Sequence, residues 1–334
     1  MKLPAPSAGG RDFGWILTTL ALATAGATYG LIILGSTVRV TESGMGCPGW
    51  PLCYGQIGPV DTFHSIIEQT HRYVVGLVTI LVILTAIAAW RLARDQRSVM
   101  VPALIAVGVI VIQIGLGALT VFADNAPVTV ALHLLFGFIV LAVVWVTAGA
   151  VLVARRPALG RRLKPLAYAT VTMTFIVMLS GSLVVDGGAA YACPSWPFCS
   201  AKVAAAQLVD IQYAHRLTVL IVTILIAFFA MHAARRWREV PGARVVAGVV
   251  AVILLCQIAV GGLVATLGAP PDLQDVHIAL AAAIWVSVVL LATIGWQAGA
   301  DAVPDPATLS SPPLPLGRPQ RDSRLGPNRP TEEG

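Results

Sequence analysis

The residues with the clearest chemical potential lie at 68–72, in the sequence Glu-Gln-Thr-His-Arg, where a polar stretch runs into a long apolar one. Glu68 and His71 are three residues apart, so they lie on one face of a helix. Ionisable side chains are costly to bury in a membrane and usually serve a function there. The pattern returns 144 positions later, at 212–216, with the histidine and arginine repeated and the glutamate replaced by glutamine. The two copies therefore share an imidazole and a guanidinium, whereas only one has a carboxylate.

Two further histidines, His133 and His277, are separated by the same 144 residues. Each lies near the start of an apolar segment, as His71 and His215 do, and all four segments are predicted to run from the outside inward. We therefore expect the four imidazoles at similar depth near the outer face. Two imidazoles on neighbouring helices can bind one haem iron from opposite sides, as in haem-binding four-helix bundles. The spacing favours two iron-binding pairs, His71 with His133 and His215 with His277.

Other interpretations of the histidines stay open. Membrane histidines also form hydrogen bonds between helices, and paired imidazoles occur in zinc and copper sites. A mixed nitrogen–sulfur site is disfavoured because the cysteines lie in the outer loops, away from these histidines. His64 is interpreted as a solvated loop residue before His71, and His232 as an interfacial residue beside Arg235 and Arg236.

Arg72 and Arg216 each follow the first histidine of a pair. An arginine at the outer interface can donate paired hydrogen bonds to a haem propionate. It can also extend to lipid headgroups. Glu68 likewise has two interpretations: it moves protons or positions water beside a reacting group, or it forms an interfacial ion pair with Arg72.

The motif C-P-x-W-P-x-C occurs once in each long outer loop. An outward-facing loop meets an oxidising compartment, which permits disulfides. We predict the pairs Cys47–Cys53 and Cys193–Cys199, which either staple the loops or pass electrons. Cys256 lies inside an apolar segment without a counterpart in the other repeat, and is predicted to be a buried apolar residue.

The elements that must position these residues are membrane spans. Of the 334 residues, 57% are hydrophobic and 11% are charged, and the mean hydropathy is +0.82. Soluble domains are nearer half apolar and a quarter charged, so the composition predicts an all-α polytopic membrane protein. Eight apolar segments have spanning length; they lie at about 14–38, 68–91, 100–122, 128–153, 164–185, 210–233, 243–267 and 273–297.

Arginine and lysine are concentrated in alternate loops, at 91–97, 155–164 and 235–244, whereas Arg39 and Lys202 are exceptions in the other loops. The positive-inside rule therefore predicts a multi-pass protein of the cell membrane with both termini in the cytoplasm. The same rule explains the net charge of +6 as a topology signal, so no nucleic-acid partner is expected.

The repeat also matches Gln113 with Gln257 and Gly117 with Gly261. Because each copy holds an even number of helices, we predict two fused four-helix bundles related by a pseudo-two-fold axis along the membrane normal. The predicted domains are a cytoplasmic N-terminus (1–13), a first bundle (14–153), a cytoplasmic linker (154–163), a second bundle (164–297) and a disordered cytoplasmic tail (298–334).

This combination of motifs resembles the haem A synthase family. The resemblance extends to about Gln297 and rests on E-x-x-H-R at 68–72, Y-A-H-R at 213–216, the histidines that open the fourth and eighth helices, and the two cysteine loops. It implies that the chain oxidises the C8 methyl group of haem O to a formyl group by successive hydroxylations. The product would be haem A for terminal oxidases.

The resemblance also implies a division between the repeats. His71 and His133 would bracket haem O as the substrate, and Glu68 would be catalytic. His215 and His277 would be the axial iron ligands of a haem b cofactor. Haem O would be delivered by a haem O synthase at the lipid membrane, and the electrons would pass to an acceptor of unspecified identity.

Three other functions are compatible with parts of the pattern. A di-haem b-type electron carrier explains all four histidines but leaves the contrast between Glu68 and Gln212 and the cysteine loops without a use. A thiol–disulfide relay leaves the histidines unexplained, and its motif lacks the usual C-x-x-C spacing. A transporter fits the fused repeat, but no broken helix is evident in the sequence.

Overall fold

A computed structural model describes residues 9–58, 61–153, 164–199, 205–236, 242–297 and 334. Within these residues the chain forms eight long helices and a short 3-10 helix at Ser43–Met45. The long helices are α1 (Gly9–Val40), α2 (Phe63–Leu92), α3 (Arg97–Phe122), α4 (Pro127–Val153), α5 (Lys164–Asp186), α6 (Ala206–Arg236), α7 (Ala243–Thr266) and α8 (Pro271–Gln297). All eight are long and apolar enough to cross a membrane, so the prediction of an all-α membrane protein is confirmed. The predicted linker and tail lie outside the described residues, apart from Gly334.

The second helix begins five residues before its predicted start at Glu68. Thr62 caps α2, because its side chain accepts a hydrogen bond from the backbone N–H of Ser65 at 3.3 Å. The first turns of α2 are polar, so hydropathy alone places its start too late. The prediction that His64 lies in a loop is therefore wrong. His64 belongs to the first turn of α2, where it is exposed and its Nδ1 lies 3.0 Å from the hydroxyl of Ser43.

The first half of the molecule, α1–α4, packs as a ring in which each helix contacts the next and α4 returns to α1. The second half, α5–α8, packs in the same way, with α8 returning to α5. Helix α8 also contacts α1 and α4, and α4 contacts α5. These contacts match two joined four-helix units. The two-fold relation between them stays a prediction.

Each half has its own apolar core, and a third cluster joins the halves. In the first half the core contains Val82 and Ile110, and in the second it contains Ile226 and Phe229. Trp285 of α8 is buried among residues of both halves, and its indole N–H donates to the carbonyl of Phe138 at 3.0 Å. A buried indole needs such an acceptor, so this bond fixes α8 against α4.

The described parts of the two loops that contain the cysteine motifs, 41–58 and 187–199, lie at the same end of the bundle, which we call the disulfide end. Polar contacts join the two halves there. Ser36 and Thr37 at the end of α1 donate to the carboxylate of Asp275 in the first turns of α8, at 2.5 and 3.0 Å. Arg39 forms an ion pair with Asp186 at the end of α5. The disulfide end is therefore held together across the boundary between the halves.

Candidate functional site

The four repeated histidines lie in the first three turns of the helices that begin at the disulfide end. His71 is in α2, His133 in α4, His215 in α6 and His277 in α8. At 1.5 Å of rise per residue they are about 9 to 14 Å from the starts of their helices. The structure thus places one histidine of each predicted pair on each of two helices within a half, at matched depth.

In the first half both imidazoles pack against a glycine of a neighbouring helix. A Cβ atom added to Gly35 of α1 would lie 3.3 Å from Nε2 of His71. A Cβ atom added to Gly117 of α3 would lie 3.1 Å from Cε1 of His133. Carbon contacts are optimal at about 3.5 to 4.0 Å, so any side chain at these positions would press on the rings. We call such a position a glycine seat.

The second half has the same two glycine seats. A Cβ atom on Gly181 of α5 would lie 3.3 Å from Cε1 of His215, and one on Gly261 of α7 would lie 3.0 Å from Cε1 of His277. All four rings are therefore positioned by a close approach of backbone from the adjacent helix. This arrangement fixes the positions of the four imidazoles.

A glutamine contacts the second histidine of each pair. Nε2 of Gln113 lies 3.3 Å from Nε2 of His133 and donates to that residue's carbonyl at 2.9 Å. The first of these contacts recurs in the second half, where Nε2 of Gln257 lies 3.3 Å from Nε2 of His277. Nδ1 of both histidines is buried without a hydrogen-bond partner among the described residues. A buried ring nitrogen without a partner is costly, which indicates that a group absent from the structure completes the site.

Ser180 distinguishes the second half. Its hydroxyl donates to the carbonyl of Val177 at 2.8 Å, so its oxygen accepts from the Nδ1–H of His215 at 2.8 Å. This bond selects the tautomer that leaves Nε2 of His215 free to bind a metal. The corresponding position in α1 is Leu34, which has no hydroxyl, so only the second half has this support for its first histidine.

The donor set fits haem better than a bare metal ion. His71 and His133 lie within electrostatic range of each other, and so do His215 and His277. Two axial nitrogens suffice for haem iron because the porphyrin supplies the other ligands. A structural zinc ion takes four protein ligands, and the part of the chain that the structure describes contains no cluster of three or more His, Cys, Asp or Glu side chains able to hold a metal ion.

Glu68 and its counterpart Gln212 are both buried. Each forms a hydrogen bond with its own disulfide loop, Glu68 as the acceptor and Gln212 as the donor. Glu68 accepts from the backbone N–H of Cys47 at 2.7 Å and forms an ion pair with Arg72. Gln212 instead donates to the carbonyl of Ala189 at 2.9 Å. The first half thus contains a buried carboxylate, one turn from His71, where the second half contains an amide.

The two arginines have contacts that the sequence does not suggest. The guanidinium groups of Arg72 and Arg216 donate to backbone carbonyls of their own disulfide loops. Binding of a haem propionate by either arginine stays a prediction, in competition with these loop contacts. Glu68 pairs with Arg72, as the interfacial interpretation expects, and its catalytic role also stays a prediction.

The structure contains both predicted disulfides, Cys47–Cys53 and Cys193–Cys199. The prediction that Cys256 is buried is wrong, because this residue is exposed on the surface of α7. Helix α7 is apolar on all sides, so hydropathy does not identify its outward face. His232, near the end of α6, is exposed, as the sequence suggests for an interfacial residue.

Comparison with known proteins places the chain in a family. The model for the cytochrome oxidase assembly proteins COX15-CtaA matches residues 18–65 and 59–289, a range that contains all four histidines and both disulfides. This chain belongs to the COX15-CtaA family. A protein named "Heme A synthase" from Geobacillus thermodenitrificans is 32% identical over 241 residues, which are 69% of this chain and 75% of the relative. The "Heme A synthase" of Geobacillus kaustophilus (strain HTA426) is 32% identical over 283 residues, 81% of this chain and 87% of the relative.

Several residues around the histidines of this COX15-CtaA chain have a role that sequence reasoning missed. The repeat matches Gln113 with Gln257 and Gly117 with Gly261, but it does not indicate that each touches a histidine. Ser180 has no counterpart in the first half and gives no signal in the sequence. The offset that Gln113 and Gln257 share with the histidines is the sequence signal for the two glutamines.

Proposed function

We propose that this chain is a haem A synthase, which oxidises the C8 methyl group of haem O to a formyl group. The net change adds one oxygen atom and removes two hydrogen atoms, by successive hydroxylations and loss of water. The observation that carries the proposal is the two histidine pairs whose rings pack against glycine seats. Each pair has a buried ring nitrogen without a protein partner among the described residues. The chain that contains these pairs is about a third identical to proteins named "Heme A synthase".

We assign the substrate to the first half and the cofactor to the second. His71 and His133 would bracket haem O, and His215 and His277 would hold haem b. When bound, haem b supplies one-electron transfer. The hydrogen bond from His215 to Ser180 supports this assignment, because a fixed tautomer and a more basic imidazole suit a permanently ligated iron. The first half lacks that hydrogen bond, as suits a site that must release its product.

Glu68 is the proposed catalytic residue. It is the buried carboxylate that lies one turn from a ligand histidine, and its counterpart in the second half is uncharged. Methyl oxidation releases protons, and a carboxylate near the reacting carbon can accept one or hold the attacking water. Arg72 forms an ion pair with this carboxylate, and the ionised carboxylate is the form that accepts a proton.

The chain is a multi-pass membrane protein, and we propose that it lies in the cell membrane with both termini in the cytoplasm. The arginine-rich loops support this orientation, which places the disulfide end and all four histidines on the outer side. Haem O, delivered by a haem O synthase, enters from the lipid phase. Arg72 and Arg216 are the candidates for propionate binding.

Co-expression with a haem O synthase, in a host that lacks its own haem A synthase, tests the function. Haems are extracted from the membranes and identified by chromatography and mass. We expect haem A together with its alcohol intermediate. If haem O alone accumulates in membranes that contain the folded protein with haem b bound, the enzyme proposal fails and the di-haem electron carrier replaces it.

A further inference from the structure

The two disulfide loops bind a guanidinium group in the same way. Nη2 of Arg72 donates to the carbonyl of Cys47 at 2.8 Å, and its Nη1 donates to those of Gly49 at 2.6 Å and Pro51 at 3.4 Å. Nη1 also contacts the carbonyl of Leu52 at 3.4 Å. The first, third, fifth and sixth residues of the motif therefore supply the acceptors, and the same nitrogens serve the first, third and fifth positions in the other half.

In the second half, Nη2 of Arg216 donates to the carbonyl of Cys193 at 3.0 Å. Its Nη1 donates to those of Ser195 at 2.8 Å and Pro197 at 3.1 Å. The contact pattern recurs at equivalent atoms in the two copies of the motif, which indicates that the motif is built around the arginine.

The chemistry of C-P-x-W-P-x-C suits this purpose. A guanidinium has donors only, arranged in a rigid plane, so it needs several carbonyl oxygens directed to one point. The two prolines of each motif have no backbone N–H to compete and restrict the backbone. The disulfide closes the ring. Cys47 and Cys53 are fully buried and Cys193 is 1% exposed, whereas Cys199 is partly exposed.

The first half closes its loop more tightly than the second. The carboxylate of Glu68 binds the guanidinium of Arg72 and accepts from the N–H of Cys47, so it joins the loop to the helix by a second route. Gln212 contacts its loop through Ala189 instead. Removing the charge of Glu68 should therefore loosen only the first loop.

We infer that each disulfide loop is a guanidinium clasp, which holds the helix turn carrying the adjacent histidine. Arg72 directly follows His71, and Arg216 directly follows His215, so a clasped arginine restricts how the turn can rotate or fray. The two arginines are positioning residues that act through the neighbouring histidine. What the histidines bind rests on the proposed function, whereas the clasp itself does not.

Thiol trapping in the purified full-length protein tests the clasp. The protein is exposed to dithiothreitol, freed thiols are alkylated at intervals, and peptide mass spectrometry follows each disulfide separately. Because both sulfurs of Cys47–Cys53 and the sulfur of Cys193 are buried, opening of a loop should accelerate the reduction of its disulfide. We expect Arg72→Gln to accelerate reduction of Cys47–Cys53 at least tenfold, equivalent to about 1.4 kcal/mol, and to leave Cys193–Cys199 unchanged.

Arg216→Gln should give the reciprocal result, so each disulfide is the internal control for the other. Lysine retains the charge but cannot direct donors to three carbonyls at once, so Arg72→Lys and Arg216→Lys should give smaller accelerations. Glu68→Gln should accelerate only the first pair. Wild-type reduction rates in both glutamine variants, or equal acceleration of both pairs by either one, would overturn the clasp.

Hydrogen–deuterium exchange tests whether the clasp positions the histidine turn, without relying on bound haem. Arg72→Gln should raise exchange in the peptide containing His71 and leave the peptide containing His215 unchanged; Arg216→Gln should do the reverse. Unchanged exchange around both histidines would show that the arginines only hold their loops, and it would refute their positioning role. Failure of the proposed function would be distinct: haem A would be missing although each loop still responded to its own arginine.

Discussion

The glycine seat of His277 gives the sharpest prediction about the haem b site. In Gly261→Ala the new Cβ would lie 3.0 Å from Cε1 of His277, so the imidazole must withdraw by about 0.5 Å to reach ordinary contact. Metal–ligand distances hold to within about 0.2 Å, and the displaced ring can no longer sit at its ligand position. Overpacking lowers the free energy of unfolding by about 1 to 3 kcal/mol. Replacing glycine with alanine in a helix raises it by up to about 1 kcal/mol.

We therefore expect Gly261→Ala to bind haem b about tenfold more weakly, equivalent to about 1.4 kcal/mol. Titrating haem into apo-protein and following the Soret band measures this affinity. Gly248→Ala is the matched control, because it makes the same substitution in α7 at a position where an added Cβ meets nothing within 4 Å. Unchanged affinity in Gly261→Ala would refute the seat, and an equal loss in Gly248→Ala would assign the effect to α7 as a whole.

Five other variants test the division between the halves. His215→Ala or His277→Ala should abolish the haem b spectrum. His71→Ala should retain that spectrum and stop haem A formation. A haem b spectrum that survives both second-half variants contradicts the ligand assignment. Glu68→Gln should keep haem b and block product formation in the co-expression assay, and normal turnover would remove Glu68 from the mechanism. Ser180→Ala should retain haem b and raise its midpoint potential, because a less basic imidazole favours the ferric state less; a redox titration that shows no shift would argue against a role for Ser180.

The membrane spans could be predicted from the sequence because each has to meet a single physical requirement. It must be a run of apolar residues long enough to cross a bilayer. The same signal fails at the start of α2, where the first turn is polar and is fixed by a cap at Thr62. Hydropathy also fails to predict that Cys256 is exposed, because the sequence of a helix that is apolar on every side does not show which side faces outward.

The chemistry-bearing histidines were also visible in the sequence, since two pairs of imidazoles in apolar segments at one spacing are costly without a function. Their surroundings were not visible. Whether Gly261 touches His277 depends on how α7 and α8 pack. Whether Arg72 binds a propionate or a loop carbonyl depends on the shape of a ring closed by a disulfide. These contacts join residues of different elements, and no local pattern encodes them.

The most direct test of the central claim is a turnover measurement on the purified full-length protein, reconstituted in lipid with haem b bound and supplied with haem O and an electron acceptor. Haems are extracted at intervals and identified by mass. The account predicts that haem O is replaced by a species with one more oxygen and two fewer hydrogens while the haem b content stays constant. Recovery of unchanged haem O, from protein whose haem b is repeatedly reduced and reoxidised, would contradict it.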